Sequence, residues 1–380
     1  ITHDTLPNER KSIFSSTAAD ALTPQSVAGT ISRVETLGGG GYMSERAVVV
    51  GAGGISGAWF PQLIAEGVKV EAVVDLSAKT AEARIKEYAL DAKPSNNLKK
   101  TLKKFSPDFV VDLTIPEAHC DVTCTALNMD CHVIGEKPMA SSMSEARKMV
   151  RTAEKSGKTY MVSQSRRWDA RHEQVRLTLE SGSVGQIGNI VCEFFIGAHF
   201  GGFRDEMRSP LILDMAIHHF DLVRFMTGLD PVAVYAREFN PAGSWYRGDA
   251  AASCIFEMSN DVIFTYTGSW CAEGFNTSWN GDWRIIGDKG TLRYKADDDP
   301  SIEVVAGEEG FTRPLRSTSA VPSQTDAAKT GMRGALCEML DFIREGKTPQ
   351  TECHDNIKSL AMVFAAIESS RKGKRVPVQW

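Results

Sequence analysis

From Arg46 to about Gln164 the chain repeats one unit, a short apolar run followed by a turn and an amphipathic stretch of helix length. The runs Ala47–Val50, Val70–Val74, Phe109–Leu113, His132–Ile134 and Thr159–Val162 read as strands. Between them Lys79–Leu90, Glu117–Asn128 and Met143–Ser156 read as helices, the last with Ser142 and Glu145 at capping-box spacing. Strands that alternate with helices form βαβ units with right-handed crossovers, and hence a parallel sheet. The basic cluster Lys99, Lys100, Lys103 and Lys104 alternates with Leu98, Leu102 and Phe105, so it reads as the solvated face of a helix rather than a phosphate-binding patch.

After about Arg166 the pattern changes. A helix over Ala170–Glu180, a strand over Ile187–Ala198 and a helix over Leu211–Met226 precede a β-rich series: Val232–Phe239, Ala250–Met258, Val262–Trp270, Trp283–Ile286 and Thr291–Tyr294. The turns Ser259-Asn260-Asp261 and Gly287-Asp288-Lys289-Gly290 imply hairpins and antiparallel pairing. Helices over Gly331–Arg344 and Asp355–Ser370 close the chain. The expected class is α/β: a Rossmann dinucleotide-binding domain at 44–165, then an α+β domain at 166–380 with a large, mostly antiparallel sheet. The last helices are expected to pack back on the first domain. Residues 1–43 are polar and end near the tetraglycine Gly38–Gly41; they read as a flexible arm, native or left by cloning, with Met43 as the original start.

A net charge of −5 over 380 residues gives no reason to expect nucleic acid or an anionic membrane as partner. No apolar run approaches the roughly 20 residues of a membrane helix. The eight cysteines form no CxxC pair. Cys120, Cys124 and Cys131, with His119 and His132 nearby, lack a second ligand pair at zinc spacing, so no metal is expected; reduced core cysteines in a cytoplasmic protein are the reading.

Three segments carry chemistry. Gly51-Ala52-Gly53-Gly54-Ile55-Ser56-Gly57 follows the first strand and opens a helix. Gly51 permits the tight turn, Gly53 lets the backbone approach a diphosphate, and Ser56 stands where the third glycine of GxGxxG would be. Asp75 ends the next strand, where it can accept from ribose hydroxyls and would repel a 2′-phosphate, which favours NAD over NADP. Gly135-Glu136-Lys137-Pro138 puts a lysine at the C-terminal end of a parallel strand. On the helix Leu211–Met226, Asp214 and His218 are one turn apart with Asp221 continuing the face, so Asp214 could orient the imidazole. His219 points elsewhere and reads as structural or as a substrate contact.

These elements, with Leu113-Thr114-Ile115-Pro116-Glu117-Ala118-His119 and Leu213-Asp214-Met215-Ala216-Ile217-His218-His219-Phe220-Asp221, resemble the Gfo/Idh/MocA family of glucose–fructose oxidoreductase and inositol dehydrogenase. The resemblance runs from about Ser44 to the C-terminus. It implies a tightly held nicotinamide cofactor, NAD, and a sheet domain that often forms the oligomer interface of a homodimer or tetramer. It also implies a catalytic trio at Lys137, Asp214 and His218. By the same resemblance Thr114, Pro116 and His119 pass the cofactor ribose and diphosphate together with Gly54, Ile55 and Glu136, and Gln164, Arg167 and Trp168 line the nicotinamide pocket. Gly201–Pro210 departs from the family by carrying Arg204, Asp205, Glu206 and Arg208, which bears on the substrate pocket.

The reaction expected is hydride transfer between a sugar or polyol carbinol and the nicotinamide, with either Lys137 or His218 as formal base. Two other readings stand beside it: an NAD-dependent glycosidase that oxidises transiently and eliminates an aglycone, and a dinucleotide-binding sensor without catalysis. The aromatic residues Trp245, Tyr246, Trp270, Phe275, Trp279 and Trp283 could stack on a sugar, or belong to core or subunit interface.

Overall fold

The computed structural model describes residues 44–380, so the arm read at residues 1–43 lies outside the described residues. The chain opens with β1 (Arg46–Val50), α1 (Ser56–Ala65), β2 (Lys69–Val74), α2 (Ala78–Glu87), β3 (Lys93–Ser95) and α3 (Leu98–Phe105). It continues through β4 (Phe109–Asp112), α4 (Pro116–Asn128), β5 (His132–Gly135), α5 (Met143–Ser156) and β6 (Tyr160–Val162). The six strands pair in parallel in the order β3-β2-β1-β4-β5-β6. The order reverses at β1 and β4, which opens the crevice where such sheets take ligands. Both faces of this sheet are covered at its centre, which is why β1 and β4 are apolar runs. Val49, Val73 and Val111 pack with Trp59 and Phe60 of α1, whereas Val48 and Val110 face Cys124 and Leu127 of α4.

The second half contains α6 (Ala170–Glu180), β7 (Ile187–Phe195), α7 (Phe203–Glu206), a wide π turn at Leu211–Ala216 and α8 (Ile217–Thr227). Then follow β8 (Pro231–Phe239), β9 (Ala251–Met258), β10 (Ile263–Ser269), β11 (Asp282–Gly287), β12 (Gly290–Tyr294), β13 (Ser301–Val305) and β14 (Leu315–Thr318). The chain closes with α9 (Gly331–Glu345), α10 (Cys353–Lys372) and β15 (Val376–Pro377). Nine strands form a sheet in the order β14-β13-β12-β11-β7-β10-β9-β8-β15. All neighbours are antiparallel except β7 and β10, which pair in parallel at the centre of the sheet. Phe220 of α8 seats on Phe256, Phe264 and Tyr266 of its inner face. The opposite face is open: Tyr235, Ile255 and Arg284 line up across it through Thr265 and Val191.

The chain returns at its end to the first sheet. Ala335, Leu336, Met339 and Leu340 of α9 pack in the cluster that holds Trp59 and Phe60, and Arg344 and Arg333 pair with Glu45 and Glu66 at 2.5 and 2.6 Å. A buried ionic lock fastens the turn after β6 to α8 and α10. Arg167 donates to both carboxylate oxygens of Asp221 on α8, at 2.8 and 2.7 Å, and to Asp355 on α10 at 2.7 Å. Arg224 joins the same Asp355 at 2.6 Å.

Removing one partner of such a lock strands a charge in the interior. Asp221→Ala should lower unfolding free energy by about 3–5 kcal/mol, measured by urea denaturation at neutral pH. Glu257→Ala, which breaks the exposed pair with Arg375, should cost no more than about 1 kcal/mol. Equal effects would show that the buried lock contributes no more stability than an exposed pair.

Candidate active site

Because its six strands are parallel, the first sheet brings every C-terminal strand end to one edge. After β1, Gly51 has φ +98°, and a Cβ there would lie 2.6 Å from the Leu113 carbonyl oxygen, so the turn needs glycine for a close approach to the loop after β4. A Cβ on Gly53 or Gly54 would meet nothing within 4 Å, which leaves an open cradle. The amides of Gly53, Gly54 and Ile55 have no acceptor among the described residues and stand at the N-terminus of α1. Such a cradle suits a diphosphate. Ser56 is turned back, its hydroxyl donating to the Gly53 carbonyl at 2.7 Å.

Asp75 stands at the end of β2. Its carboxylate accepts from the Ala52 amide and the Ser77 amide, both at 2.9 Å, so it shapes the glycine turn as well as facing the crevice. Arg84 of α2 grips the same turn from behind, donating to the carbonyls of Ala52 at 3.2 Å and Gly53 at 3.1 Å. Sequence reasoning did not find Arg84, because nothing local links a helix residue to a turn thirty positions away. Leu76 and Ile115, exposed apolar side chains after β2 and β4, were also missed.

Thr114 and His119 are placed around a buried acid. Asp112 Oδ1 accepts from the Thr114 amide and hydroxyl at 3.1 and 2.6 Å, and its Oδ2 lies 3.2 Å from His119 Nδ1. Burial alone would push the His119 pKa down, but the Asp112 carboxylate outweighs it and holds the imidazole above its ordinary value. His119 therefore sits beneath the loop, while Pro116 starts α4. Glu136 is buried too, accepting from Trp59 Nε1 at 2.7 Å and from the Lys137 amide at 3.2 Å. Burial raises its pKa against those two donors.

Lys137 and the turn before α8 meet. Lys137 Nζ donates to the Asp214 backbone oxygen and to Asp214 Oδ1, each at 2.8 Å. Asp214 Oδ2 accepts from Arg204 Nε of α7 at 2.6 Å. Burial would raise the Asp214 pKa, but Lys137 and Arg204 together hold it below the usual carboxylate range. The expectation that Asp214 orients the His218 ring is not met. The wide π turn separates Asp214 from the regular helix, both its oxygens are taken by cations, and His218 Nδ1 is buried without a partner. His218 keeps partial exposure, which leaves Nε2 as the nitrogen able to face a ligand. Burial first, then the charges of Arg166 and Lys137, push its pKa well below the ordinary value, so the ring is neutral at pH 7.

Other expected residues lie elsewhere. Asp221 does not continue a catalytic face, being held by Arg167 and by Ser359 at 2.7 Å. Arg167 is committed to that lock, and Trp168 donates to Glu338 of α9 at 3.0 Å and packs against Gly334. The Gln164 amide is buried with neither end partnered. His219 is fully buried among Phe194, Tyr266 and Trp283, as a structural histidine. Among the aromatics, Trp270, Trp283 and Tyr246 are core, Phe275 is fully exposed, and Trp279 stands at the rim near Phe200. All eight cysteines are unbonded, and all but Cys271 are buried.

Residues 45–164 match the model of the oxidoreductase family with an NAD-binding Rossmann fold, and residues 172–293 match the GFO/IDH/MocA C-terminal domain. The chain belongs to the Gfo/Idh/MocA oxidoreductase family. Within it, the chain is 28% identical to the Sinorhizobium fredii protein y4oX over 89% of this chain and 96% of that one. It is 24% identical to the D-apiose dehydrogenase of Paraburkholderia graminis over 83% and 84%. Its fold superposes with a TM-score of 0.76 on an Agrobacterium radiobacter oxidoreductase solved with NAD+, L-tartaric acid and magnesium, at 22% identity and covering 88% of this chain and 99% of that one. At that identity the likeness is one of fold. The family's cofactor fits the residues present here: an open glycine cradle, three free amides and an acid at the end of β2.

The depressed His218 pKa has a consequence for stability. The unfolded imidazole takes up a proton below its ordinary pKa of about 6.5 while the folded ring stays neutral, so stability is full above that pH and is lost as pH falls below it. His218→Gln should therefore lose less stability than the parent between about pH 7.5 and about pH 5.5, read from urea midpoints. His219, shifted the same way, supplies the residual slope. Identical losses in the two proteins would mean that the His218 ring charges freely in the fold.

Proposed function

We propose that this NAD-dependent oxidoreductase transfers a hydride between a sugar or polyol carbinol and the nicotinamide, with Lys137, Asp214 and His218 as the working trio. The observation that carries the reading is the Lys137–Asp214 contact at 2.8 Å, which brings the ammonium from the cofactor edge to within one turn of a neutral imidazole. When bound, NAD supplies the hydride acceptor.

The protein's own groups then divide the remaining work. An ammonium has three donors, and Asp214 accepts from Lys137 at two oxygen atoms. The third N–H is free for the reacting oxygen, where it stabilises developing negative charge. Neutral His218 accepts the hydroxyl proton at Nε2, so His218 is assigned as base, and Asp214 positions Lys137 rather than the ring. Gly51, Gly53, Gly54, Ile55 and Ser56 form the diphosphate cradle, Asp75 takes the adenosine ribose, and Leu76 and Ile115 offer apolar walls to the adenine. Thr114 and Pro116 border the same crevice. His119 and Glu136 act from behind, through Asp112 and Lys137, in positioning. Trp168, which packs in the cluster of Val49 and Trp59, we assign to holding residues 44–165 and 166–380 together, and Arg167 to bracing α8 against α10.

The open sheet face, with Tyr235, Ile255 and Ile286 exposed, is suited to pairing with a second copy. Eight unbonded cysteines suit the reducing cytoplasm. Among the described residues no helix is long and apolar enough to cross a membrane.

The test is turnover of sugars, inositols and aryl glycosides, scored for both NADH formation and aglycone release. NADH formation is expected. His218→Asn and Lys137→Met should each lower kcat by about a hundred- to ten-thousand-fold while NADH binding, read by fluorescence, persists. Wild-type turnover in either variant would sink the assignment, and aglycone release without net NADH would replace the dehydrogenase by a hydrolase.

A further inference from the structure

The rim around His218 is a closed chain of contacts. Lys137 holds Asp214, Asp214 holds Arg204, and the Arg204 guanidinium lies 4.9 Å over the Phe200 ring. Phe200 stands 6.1 Å from Trp279. The Trp279 carbonyl accepts from Arg166, whose other Nη lies 3.8 Å from the sulfur of Met215, next to Asp214. Three cations thus surround the proposed reaction centre, and Asp214 is the one anion in the circuit.

The cations are not equivalent. Lys137 and Arg204 share Asp214, whereas Arg166 forms no ion pair among the described residues. Asp297, the acid that acts on it most, is instead bonded to Asn280 at 2.9 Å and Tyr294 at 3.0 Å. Arg166 has five donors, and its protein contacts are a carbonyl and a thioether, neither carrying charge. Burial pulls its pKa down to about 10. A half-buried guanidinium whose nearest acid, Asp297, makes no direct contact with it carries a desolvation cost. That cost is relieved when a ligand brings the anion, and the planar fork matches a carboxylate.

We propose, building on the dehydrogenase reading, that the substrate is a polyhydroxy acid whose carboxylate pairs with Arg166 while a nearby carbinol faces Lys137 and His218.

The test uses the full chain loaded with NADH and two matched pairs of probes, D-gluconate with D-glucitol and D-glucuronate with D-glucose, titrated calorimetrically. At least one acid should bind about tenfold or more tightly than its neutral partner, as expected of a charge-assisted pair. The preference should vanish in Arg166→Gln and survive in part in Arg166→Lys, with NADH affinity reporting that each variant is folded. Equal binding of acid and neutral partner, no binding of any acid, or a preference that persists in Arg166→Gln overturns the proposal. So does tighter binding of D-glucose 6-phosphate than of either acid, which would make the site one for phosphate. Binding and turnover are read separately: an acid bound through Arg166 without NADH formation in the presence of NAD upholds the carboxylate site and removes the dehydrogenase reading.

Discussion

The contact between Lys137 and Asp214 fixes the relation between the two halves at the point where chemistry has to occur. Lys137 leaves the end of β5 on the first sheet, and Asp214 lies in the wide turn before α8, which is seated on the second sheet. Two bonds of 2.8 Å to one residue leave the ammonium little rotational freedom. A flexible four-carbon stem becomes a directed donor. Arg204 completes the arrangement, because a carboxylate shared by two cations cannot swing toward the imidazole.

The parallel sheet, the glycine turn and the lysine at the end of β5 were legible because each is written in adjacent residues. Ala47–Val50 reads as a short apolar strand, and Gly51 immediately after it permits a tight turn. What could not be read were partnerships across the chain. Asp214 and His218 have a spacing that suggests a pair, yet an ionised carboxylate gains more from two cations than from one neutral ring. Those cations come from positions 137 and 204. The same reason hid Arg84, whose partners are carbonyls at 52 and 53, and made Arg167 look like a pocket residue when Asp221 and Asp355 hold it. The strand β3 was missed because Lys93-Pro94-Ser95 carries no apolar pattern; β2 recruits it by backbone pairing. At the outer edge of the large sheet, β13 alternates over only five residues and β14 is exposed along most of its length with no apolar face to mark it.

The charged groups divide between those bound into the scaffold and those left open at the site. Arg167, Asp221, Arg224 and Asp355 engage one another in ion pairs, and Asp112 is bonded by Thr114, Thr123 and His119. Such networks keep a structure unique and have nothing left to offer a ligand. By contrast the amides of the glycine cradle, the third hydrogen of Lys137, the His218 ring and the Arg166 guanidinium remain open, and all lie at the C-terminal edge of the first sheet or face it.

The charges around His218 then act on one another. Burial most of all, then the charges of Arg166 and Lys137, disfavours a proton on that ring. An isolated base in this setting would accept a proton weakly. Asp214 gives little relief, since Lys137 and Arg204 already absorb its charge. A substrate carboxylate beside Arg166 would cancel the strongest of the opposing charges and raise the basicity of the imidazole at the moment a carbinol lies against it. The feature that selects the substrate would then also switch on the base, and a neutral polyol of the same shape would meet a ring less able to take its proton.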